Sequence, residues 1–276
     1  MTGKCMLAGV MGDPVAHSLS PKLHNRWIKE AGLDAEYVAL QVKPADLAAQ
    51  FKELPAQGFK GWNLTVPHKE AALTLVDEAD ETARAIGAVN TVIVRKGGML
   101  FGTNTDAYGF IQNLKAQAGN LSPYKHKAVV LGAGGAARAV VKALMDEGFK
   151  SIIIVNRTQK RAEAIANAMR GPLTVATWDH LEKTLSGAGL LVNTTTLGLQ
   201  GQPPLECNIK SLPASALVAD IVYKPLQTAL LQNARAQECK TVTGIGMLIH
   251  QAVPGFEAWF GVKPNITPEL ESFLTA

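Results

Sequence analysis

Residues 63–69 combine polar side chains that are suited to bind and react with a hydroxylated small molecule. Asn63 and Thr65 alternate with apolar residues, and Lys69 follows two residues after a proline. A strand buried in a parallel sheet is normally apolar throughout, so Asn63 and Thr65 indicate a site at the carboxyl end of a strand. Lys69 is a candidate for proton transfer to or from oxygen. We expect a helix from residue 67 to about 80 and interpret His68, which would face away from Lys69, as structural.

Four further polar residues stand where the chain enters a predicted element. Asp106 opens a predicted helix, and Asn90 lies near the start of a predicted strand. Ser18 and Ser20 precede another helix, and two hydroxyls beside a helix N-terminus can hold a carboxylate. A purely structural role remains open for Asp106 and for Ser20. The helix dipole favours an acid in the first turn, and Ser20 can cap its helix without binding a ligand.

A glycine-rich segment in the middle of the chain predicts a dinucleotide site. Residues 127–158 read as strand, glycine turn, helix and strand, and the turn fits the pattern G-x-G-x-x-[G/A] with Gly132, Gly134 and Ala137. The first glycine permits the tight turn, the second lets a pyrophosphate approach the backbone, and the small third residue lets helix and strand pack closely. The N–H groups at the helix start would then face the phosphates. The alternative is a glycine turn that binds nothing.

The end of the second strand of this unit predicts which dinucleotide binds. An NAD site usually has an acid there for the ribose hydroxyls, whereas this chain has Asn156, Arg157 and Thr158, with Arg161 one turn later. The guanidinium fork suits a phosphate, so we expect a preference for NADP(H). Solvated charges at a helix start are the alternative, but cations there oppose the helix dipole unless an anion is bound.

Composition excludes several classes of protein. The chain has 276 residues, of which 47% are hydrophobic and 18% charged, and a net charge of +4 without any run of Lys and Arg. It can therefore bury a large core, and it lacks the basic patch of a nucleic-acid-binding protein. Its three cysteines have neither metal-ligand nor CxxC spacing, so we expect no metal. No apolar run approaches membrane-spanning length, and we expect a soluble, cytoplasmic protein.

The alternation of strand and helix patterns predicts an α/β protein with two domains. Residues 1–106 read as a substrate-binding α/β domain, and residues 107–243 read as a Rossmann-type NADP-binding domain. Residues 244–276 read as C-terminal helices that return to the first domain. Because the cofactor segment and the polar strand ends fall in different domains, we expect the site in a cleft between them.

These segments resemble the shikimate dehydrogenase family over nearly the whole chain. Residues 18–21 resemble its carboxylate-binding serines, and residues 63–69 resemble its N-x-T-x-P-x-K segment, whose lysine is catalytic. Residues 104–106 resemble the signature that ends in its second catalytic residue, an aspartate, and residues 132–137 and 156–158 resemble its NADP(H) loop and 2′-phosphate clamp. Residues 87–91, 220–228 and 246–251 match further family segments. Residues 193–198 depart slightly, because Thr stands where the family more often has Ser.

The resemblance implies reversible reduction of 3-dehydroshikimate to shikimate by NADPH, in the shikimate pathway of aromatic amino-acid biosynthesis. It makes Lys69 and Asp106 the catalytic residues. The implied substrate-binding residues are Ser18, Ser20, Asn63, Thr65, Asn90, Tyr223 and Gln251, the last on the exposed side of its helix. The predicted cofactor-binding residues are Gly132, Ala133, Gly134, Gly135, Ala136, Asn156, Arg157, Thr158, Arg161, Thr195 and Gly244. We expect no partner beyond these small molecules, and a monomer or homodimer.

Two alternative functions remain open at this point. A quinate/shikimate dehydrogenase of broader specificity would commonly use NAD and carry an acid where Asn156 and Arg157 stand. A ligand sensor without catalysis would tolerate the loss of Lys69 or Asp106, and both residues are present. Turnover of shikimate and quinate with each cofactor distinguishes all three functions.

Overall fold

The computed structural model describes residues 5–276, and the chain divides into two compact units. The first unit runs as far as Thr105 and resumes with Gln251–Ala276, whereas the second is Asp106–His250. Each unit contains one sheet with helices, in agreement with the predicted α/β class.

The first unit is built on a mixed sheet. Its strands in the described chain are β1 (Met6–Gly12), β2 (Ala35–Gln41), β3 (Phe59–Leu64), β4 (Glu78–Ala79), β5 (Thr91–Val94) and β6 (Leu100–Thr103). They lie in the order β2-β1-β3-β5-β6-β4, with β1 parallel to β2 and β3, and β5 antiparallel to β3 and β6. Gly97 and Gly98, which join β5 to β6, have φ angles of 80° and 83°. Glycine adopts this region without steric cost, so the predicted hairpin turn is confirmed.

Three helices accompany these strands: α1 (Ser20–Glu30), α2 (Leu47–Ala56) and α3 (Glu81–Ile86). The helix expected over residues 67–80 is absent from this part of the chain. Turns occupy this segment, with a short 3₁₀ helix at Ala71–Thr74 and then β4. The physical reason is tertiary, because the Lys69 carbonyl accepts a hydrogen bond from Val89 N (2.8 Å) instead of from the next helical turn.

The second unit is built on a parallel sheet. Its strands are β7 (Ala128–Leu131), β8 (Ile152–Val155), β9 (Leu173–Ala176), β10 (Leu190–Asn193), β11 (Leu217–Asp220) and β12 (Lys240–Val242). The order β12-β11-β10-β7-β8-β9 is that of a doubly wound dinucleotide-binding fold. Strands β7, β10 and β11 are buried at every position, which explains their continuous apolar sequences.

The helices of the second unit are α4 (Asp106–Ala118), α5 (Gly135–Asp146), α6 (Gln159–Met169), α7 (Leu181–Leu185) and α8 (Ala229–Ala236). The sequence patterns predicted neither α7 nor the earlier α3, since helices of five and six residues are too short to show helical periodicity. Helix α9 (Ile245–Phe260) crosses from the second unit into the first after His250, and α10 (Glu269–Thr275) ends the chain.

His24 of α1 lies in an aromatic cluster with Tyr37 and with residues of α9. Its ring stacks on that of Tyr37 at 4.0 Å with an interplanar angle of 2°, and Phe256 and Trp259 lie 5.8 and 5.7 Å away. Both ring nitrogens are buried without a hydrogen-bond partner. Burial therefore lowers the pKa of His24 to about 3, and the ring stays neutral at physiological pH.

This buried histidine makes stability depend on pH. Below about pH 6.5 the unfolded chain binds a proton at this position that the folded chain does not, so stability falls as the pH falls toward 3. Between pH 7 and pH 5, we expect the unfolding free energy of the wild type to fall by about 2 kcal/mol more than that of His24→Phe. Urea denaturation at the two pH values measures the difference.

The exposed His17 provides the control for this measurement. His17→Phe should lose as much stability as the wild type over the same pH interval. Equal pH dependence in the wild type and His24→Phe would contradict a neutral, buried His24.

Candidate active site

The carboxyl end of β3 positions the first group of predicted site residues. Asn63 pairs with Val10 of β1 on one side and with Thr91 of β5 on the other, so it lies in the middle of the sheet. Thr65 follows the strand and donates its N–H to the Met11 carbonyl (2.9 Å). Parallel β1 and β3 therefore end together, and their loops lie at one edge of the sheet.

The backbone of Lys69 is held at the same edge. Its carbonyl accepts from Val89 N (2.8 Å), and the neighbouring Asn90 carbonyl accepts from Leu64 N (2.8 Å). Lys69 therefore lies beside the segment that carries Asn90. His68 is buried, and its Nε2 donates to the Val42 carbonyl at 2.7 Å, in agreement with the structural role expected for it.

Asn90 and Gln251 come together in a buried hydrogen-bond network. The Asn90 Oδ1 accepts from Thr105 N (2.8 Å) and from Thr91 Oγ1 (2.9 Å), and its Nδ2 donates to Thr105 Oγ1 (3.0 Å). The same Nδ2 lies 3.4 Å from Gln251 Oε1. Gln251 is only 8% exposed, so the expectation that it lies on the exposed side of its helix was wrong. Helix α9 is apolar around much of its surface, and its sequence did not reveal which face is covered.

Ser18 and Ser20 lie at the start of α1, but Ser20 does not cap the helix. It is the first helical residue, and the cap position belongs to Leu19. The Ser20 N–H instead donates to Ser18 Oγ (3.3 Å). The predicted capping role was therefore wrong by one position, because the helix begins earlier than the proline pattern suggested.

Asp106 is the first residue of α4 and is 5% exposed. It is also the first residue of the second unit, directly after Thr105, whose N–H and hydroxyl bind Asn90. Tyr223 follows β11 in the same unit, and burial raises the pKa of its phenol. Asp106 and Tyr223 therefore belong to one unit, whereas Lys69 and the other substrate-binding candidates belong to the other.

The glycine turn after β7 has the geometry expected of a phosphate-binding loop. Gly132 has a φ of 107°, and a Cβ there would lie 2.8 Å from Thr194 Oγ1. Gly134 caps α5, and a Cβ there would meet no atom within 4 Å, so the space over the helix start is open. Ala137 is fully buried against the sheet. The free N–H groups of Gly135 and Ala136 can therefore receive an anion at this helix N-terminus.

The end of β8 presents cations at the start of another helix. Asn156 Nδ2 donates to the Thr158 carbonyl (2.9 Å), which holds the turn that leads into α6. Arg157, Thr158 and Arg161 are exposed, and the first turn of α6 has no acidic residue. Among the residues that the structure describes, neither arginine has an ion-pair partner. Two unpaired cations at a helix N-terminus suit a bound phosphate.

The loop after β10 is organised by Asp220 at the end of β11. The buried Asp220 Oδ1 accepts from Asn193 Nδ2 (2.9 Å), and its Oδ2 accepts from Thr228 Oγ1 (2.7 Å). Asn193 Oδ1 in turn accepts from the N–H and hydroxyl of Thr195 (3.0 and 2.8 Å). Burial raises the Asp220 pKa despite these bonds. Sequence reasoning did not assign this role to Asp220, although an acid at the end of an apolar strand is a usable signal.

Two other predicted cofactor residues contribute in different ways. Ala133 is partly exposed within the glycine turn. Gly244 lies against the backbone of Ile221 and Val222, where a Cβ would collide with both carbonyls, so the close approach of two segments requires glycine at this position.

Within residues 5–276, no cluster of three or more His, Cys, Asp or Glu side chains is placed to hold a metal ion. None of the helices there is both long and apolar enough to span a bilayer.

The doubly wound unit, with its glycine turn and unpaired arginines, defines a dinucleotide-dependent enzyme, and the other unit has buried polar side chains at the edge of its sheet. Three family models match the chain: the shikimate dehydrogenase substrate binding domain at residues 10–92, shikimate / quinate 5-dehydrogenase at residues 114–198, and the shikimate 5′-dehydrogenase C-terminal domain at residues 244–268.

Similar proteins agree with these models. Shikimate dehydrogenase (NADP(+)) of Paramagnetospirillum magneticum is 51% identical over 99% of both chains. The structure of shikimate 5-dehydrogenase from Thermus thermophilus with NADP(H) and shikimate has a TM-score of 0.86 and 39% identity, with 98% of each chain covered. Quinate dehydrogenase from Corynebacterium glutamicum with NAD has a TM-score of 0.91 and 31% identity, with 98% and 99% covered. The chain belongs to the shikimate dehydrogenase family.

The unpaired arginines generate a prediction about cofactor choice. If Arg157 binds the 2′-phosphate, Arg157→Ala removes a charge-assisted hydrogen bond worth about 1.5–3 kcal/mol. NADP binding should weaken by about 10- to 150-fold, whereas NAD binding, which involves no 2′-phosphate, should stay nearly unchanged. Fluorescence titration with each dinucleotide measures both affinities.

Lys183→Ala is the matched control, because it removes one exposed positive charge from α7 in the same unit. It should leave both affinities unchanged. An equal loss of NAD and NADP binding in Arg157→Ala would instead assign this arginine a structural role.

Proposed function

We propose that this chain is an NADP-dependent oxidoreductase that acts on a CH–OH group and catalyses the reversible reduction of 3-dehydroshikimate to shikimate. This reaction places it in the shikimate pathway of aromatic amino-acid biosynthesis. The observation that carries the proposal is the combination of unpaired Arg157 at the end of β8 with the buried polar network of Asn90 and Gln251 at the edge of the other sheet. The Arg157 guanidinium suits a phosphorylated ribose, and the network of Asn90 and Gln251 suits a ring with several hydroxyls.

The proposed reaction requires separate delivery of a hydride and a proton. Bound NADPH supplies the hydride to the carbonyl carbon. The carbonyl oxygen must then gain a proton, and the Lys69 ammonium is the proposed donor. In the reverse direction, neutral Lys69 takes this proton from the hydroxyl, and Asp106 accepts a hydrogen bond that orients the same hydroxyl.

The remaining substrate contacts are proposed from the chemistry of the side chains. Ser18 and Ser20 at the start of α1, and Tyr223 after β11, provide hydroxyls that suit a carboxylate. Thr65, Asn90 and Gln251 provide donors and acceptors for ring hydroxyls. We also propose a cytoplasmic enzyme, in line with the free thiols of Cys5, Cys207 and Cys239.

A preference for quinate and NAD is not favoured. Such an enzyme would need an acid for the ribose hydroxyls, whereas Asn156 and Arg157 occupy the end of β8. Absorbance at 340 nm, followed with shikimate or quinate and with NADP⁺ or NAD⁺, tests the proposal directly. We expect the highest kcat/KM with shikimate and NADP⁺, and the absence of NADPH formation from shikimate would reject the function.

The proposed proton transfer predicts a specific kinetic defect. Lys69→Ala should lower kcat by about 10²- to 10⁴-fold, the usual range for general acid–base catalysis. NADP affinity should remain intact, because the lysine acts on charge that develops in the transition state. Steady-state kinetics together with dinucleotide titration separates these effects.

Lys60→Ala is the control for this substitution, since Lys60 is an exposed lysine in β3 of the same unit. The kcat of this variant should equal that of the wild type. Near-normal kcat in Lys69→Ala would remove the lysine from proton transfer and leave Asp106 as the remaining candidate.

Asp106 can be tested against its alternative role as a helix-start acid. Asp106→Asn should lower kcat and raise the KM for shikimate, because a carboxylate accepts a stronger hydrogen bond than an amide. Glu81→Gln neutralises a first-turn acid of α3 and should alter stability alone. If Asp106→Asn likewise changes only the melting temperature, Asp106 serves the helix dipole and not the reaction.

A further inference from the structure

A directional chain of buried hydrogen bonds runs from Tyr37 to Asn90. The Tyr37 hydroxyl donates to Asn63 Oδ1 (2.7 Å), and Asn63 Nδ2 donates to Thr91 Oγ1 (3.0 Å). Thr91 Oγ1 then donates to Asn90 Oδ1 (2.9 Å). All four residues are at most 5% exposed, so solvent does not compete for these bonds.

Asn63 lies in the middle of this chain and uses its whole amide on protein groups. Besides the bond to Thr91, its Nδ2 donates to the Asn90 carbonyl (3.2 Å). Both amide hydrogens are thus committed, and the oxygen accepts from Tyr37. Asn63 therefore has no hydrogen to offer to a substrate, and its amide connects Tyr37 to Thr91.

The Thr91 hydroxyl at the end of the chain and the Thr105 N–H together determine which end of the Asn90 amide faces which neighbour. The Thr91 hydroxyl has one hydrogen, and because it accepts from Asn63 it is free to donate to Asn90 Oδ1. The Asn90 Nδ2 is then directed toward Thr105 Oγ1 and Gln251 Oε1. In the reversed orientation, the Asn90 NH₂ would face the Thr105 N–H, two donors without an acceptor.

The surroundings of Tyr37 hold its hydroxyl in place. The ring is 1% exposed and lies flat against His24, with Trp259 at 5.9 Å. Burial raises the pKa of the phenol well above its usual value, so it keeps the proton that it donates. If this hydroxyl were removed, the buried Asn63 Oδ1 would lose the donor at the beginning of the chain.

We propose that Tyr37 and Thr91 are positioning residues for the substrate, which hold the Asn90 amide in its binding orientation. Thr91 bonds to Asn90 directly, and Tyr37 acts through Asn63 and Thr91. The proposal rests on the proposed function to the extent that Asn90 contacts a ring hydroxyl of the substrate. Neither Tyr37 nor Thr91 itself touches the substrate. Their effect is on how well Asn90 and Gln251 are oriented before binding, and it therefore appears in substrate affinity.

Three substitutions test this chain. Tyr37→Phe and Thr91→Val remove one hydroxyl each and keep the shape of the side chain, whereas Thr91→Ser keeps the hydroxyl. Loss of a neutral hydrogen bond corresponds to about 3- to 10-fold in affinity. We expect the KM for shikimate to rise by that factor in Tyr37→Phe and Thr91→Val, the KM for NADP⁺ to stay unchanged, and Thr91→Ser to bind shikimate like the wild type.

Two further measurements separate positioning from simple stability. Tyr124→Phe removes a partly buried phenol hydroxyl from the second unit and should leave the KM for shikimate unchanged. The Tyr37→Phe/Thr91→Val double variant should lose less affinity than the product of the single effects, because both act on one chain. Lower melting temperatures with an unchanged KM for shikimate, or independent effects in the double variant, would overturn the proposal.

Calorimetric titration with shikimate measures binding without turnover, so it tests the positioning role of Tyr37 and Thr91 separately from the proposed catalytic function. If the wild type binds shikimate without turning it over with NADP⁺, the catalytic function fails, and the dissociation constants of the same variants still decide whether Tyr37 and Thr91 position Asn90. If the wild type neither binds nor turns over shikimate, both proposals are wrong.

Discussion

The buried amide of Asn90 is the constraint on which the organisation of the first unit depends. An amide without partners in a protein interior costs several kcal/mol, and Asn90 is 2% exposed. Its partners are the adjacent Thr91 of β5 and two residues distant in sequence, Thr105 at the end of the unit's first segment and Gln251 in α9. Satisfying this one side chain therefore brings together the strand edge beside Lys69, the residue before Asp106, and the helix that returns to the unit.

The second unit is organised by a different constraint, namely the accommodation of negative charge. The open space over Gly134 leaves the start of α5 accessible, and Arg157 and Arg161 stand at the start of α6. Cations at a helix N-terminus are unfavourable in the absence of an anion. This arrangement is understandable in a protein that binds a dinucleotide with an additional phosphate, as the NADP-dependent relatives do. The buried Asp220 accepts a hydrogen bond from Asn193, which in turn accepts one from Thr195 in the loop after β10.

Predictions from sequence failed where tertiary hydrogen bonds replaced local ones. The segment after Pro67 has a plausible helical pattern, yet the Lys69 carbonyl bonds to Val89 across the sheet edge. Gln251 belongs to an apolar helix, and only the packing of α9 reveals that it is buried. In each case the local pattern was compatible with two structures, and a distant partner selected one.

The sequence alone determined the α/β class, the glycine turn, the absence of an acid after β8, and the strand ends at which Asn63, Thr65 and Lys69 occur. These features are readable because they depend on local periodicity and on residue types required at single positions. The tertiary structure alone decided that Tyr37, Asn63, Thr91 and Asn90 form one directional chain. It also decided that Asp220 connects two loops. Hydrogen bonds between residues 26 to 28 positions apart, such as those of Asn63 with Tyr37 and Thr91 and of Asn193 with Asp220, leave no periodic trace in the sequence, because their partners are chosen by the packing of whole elements.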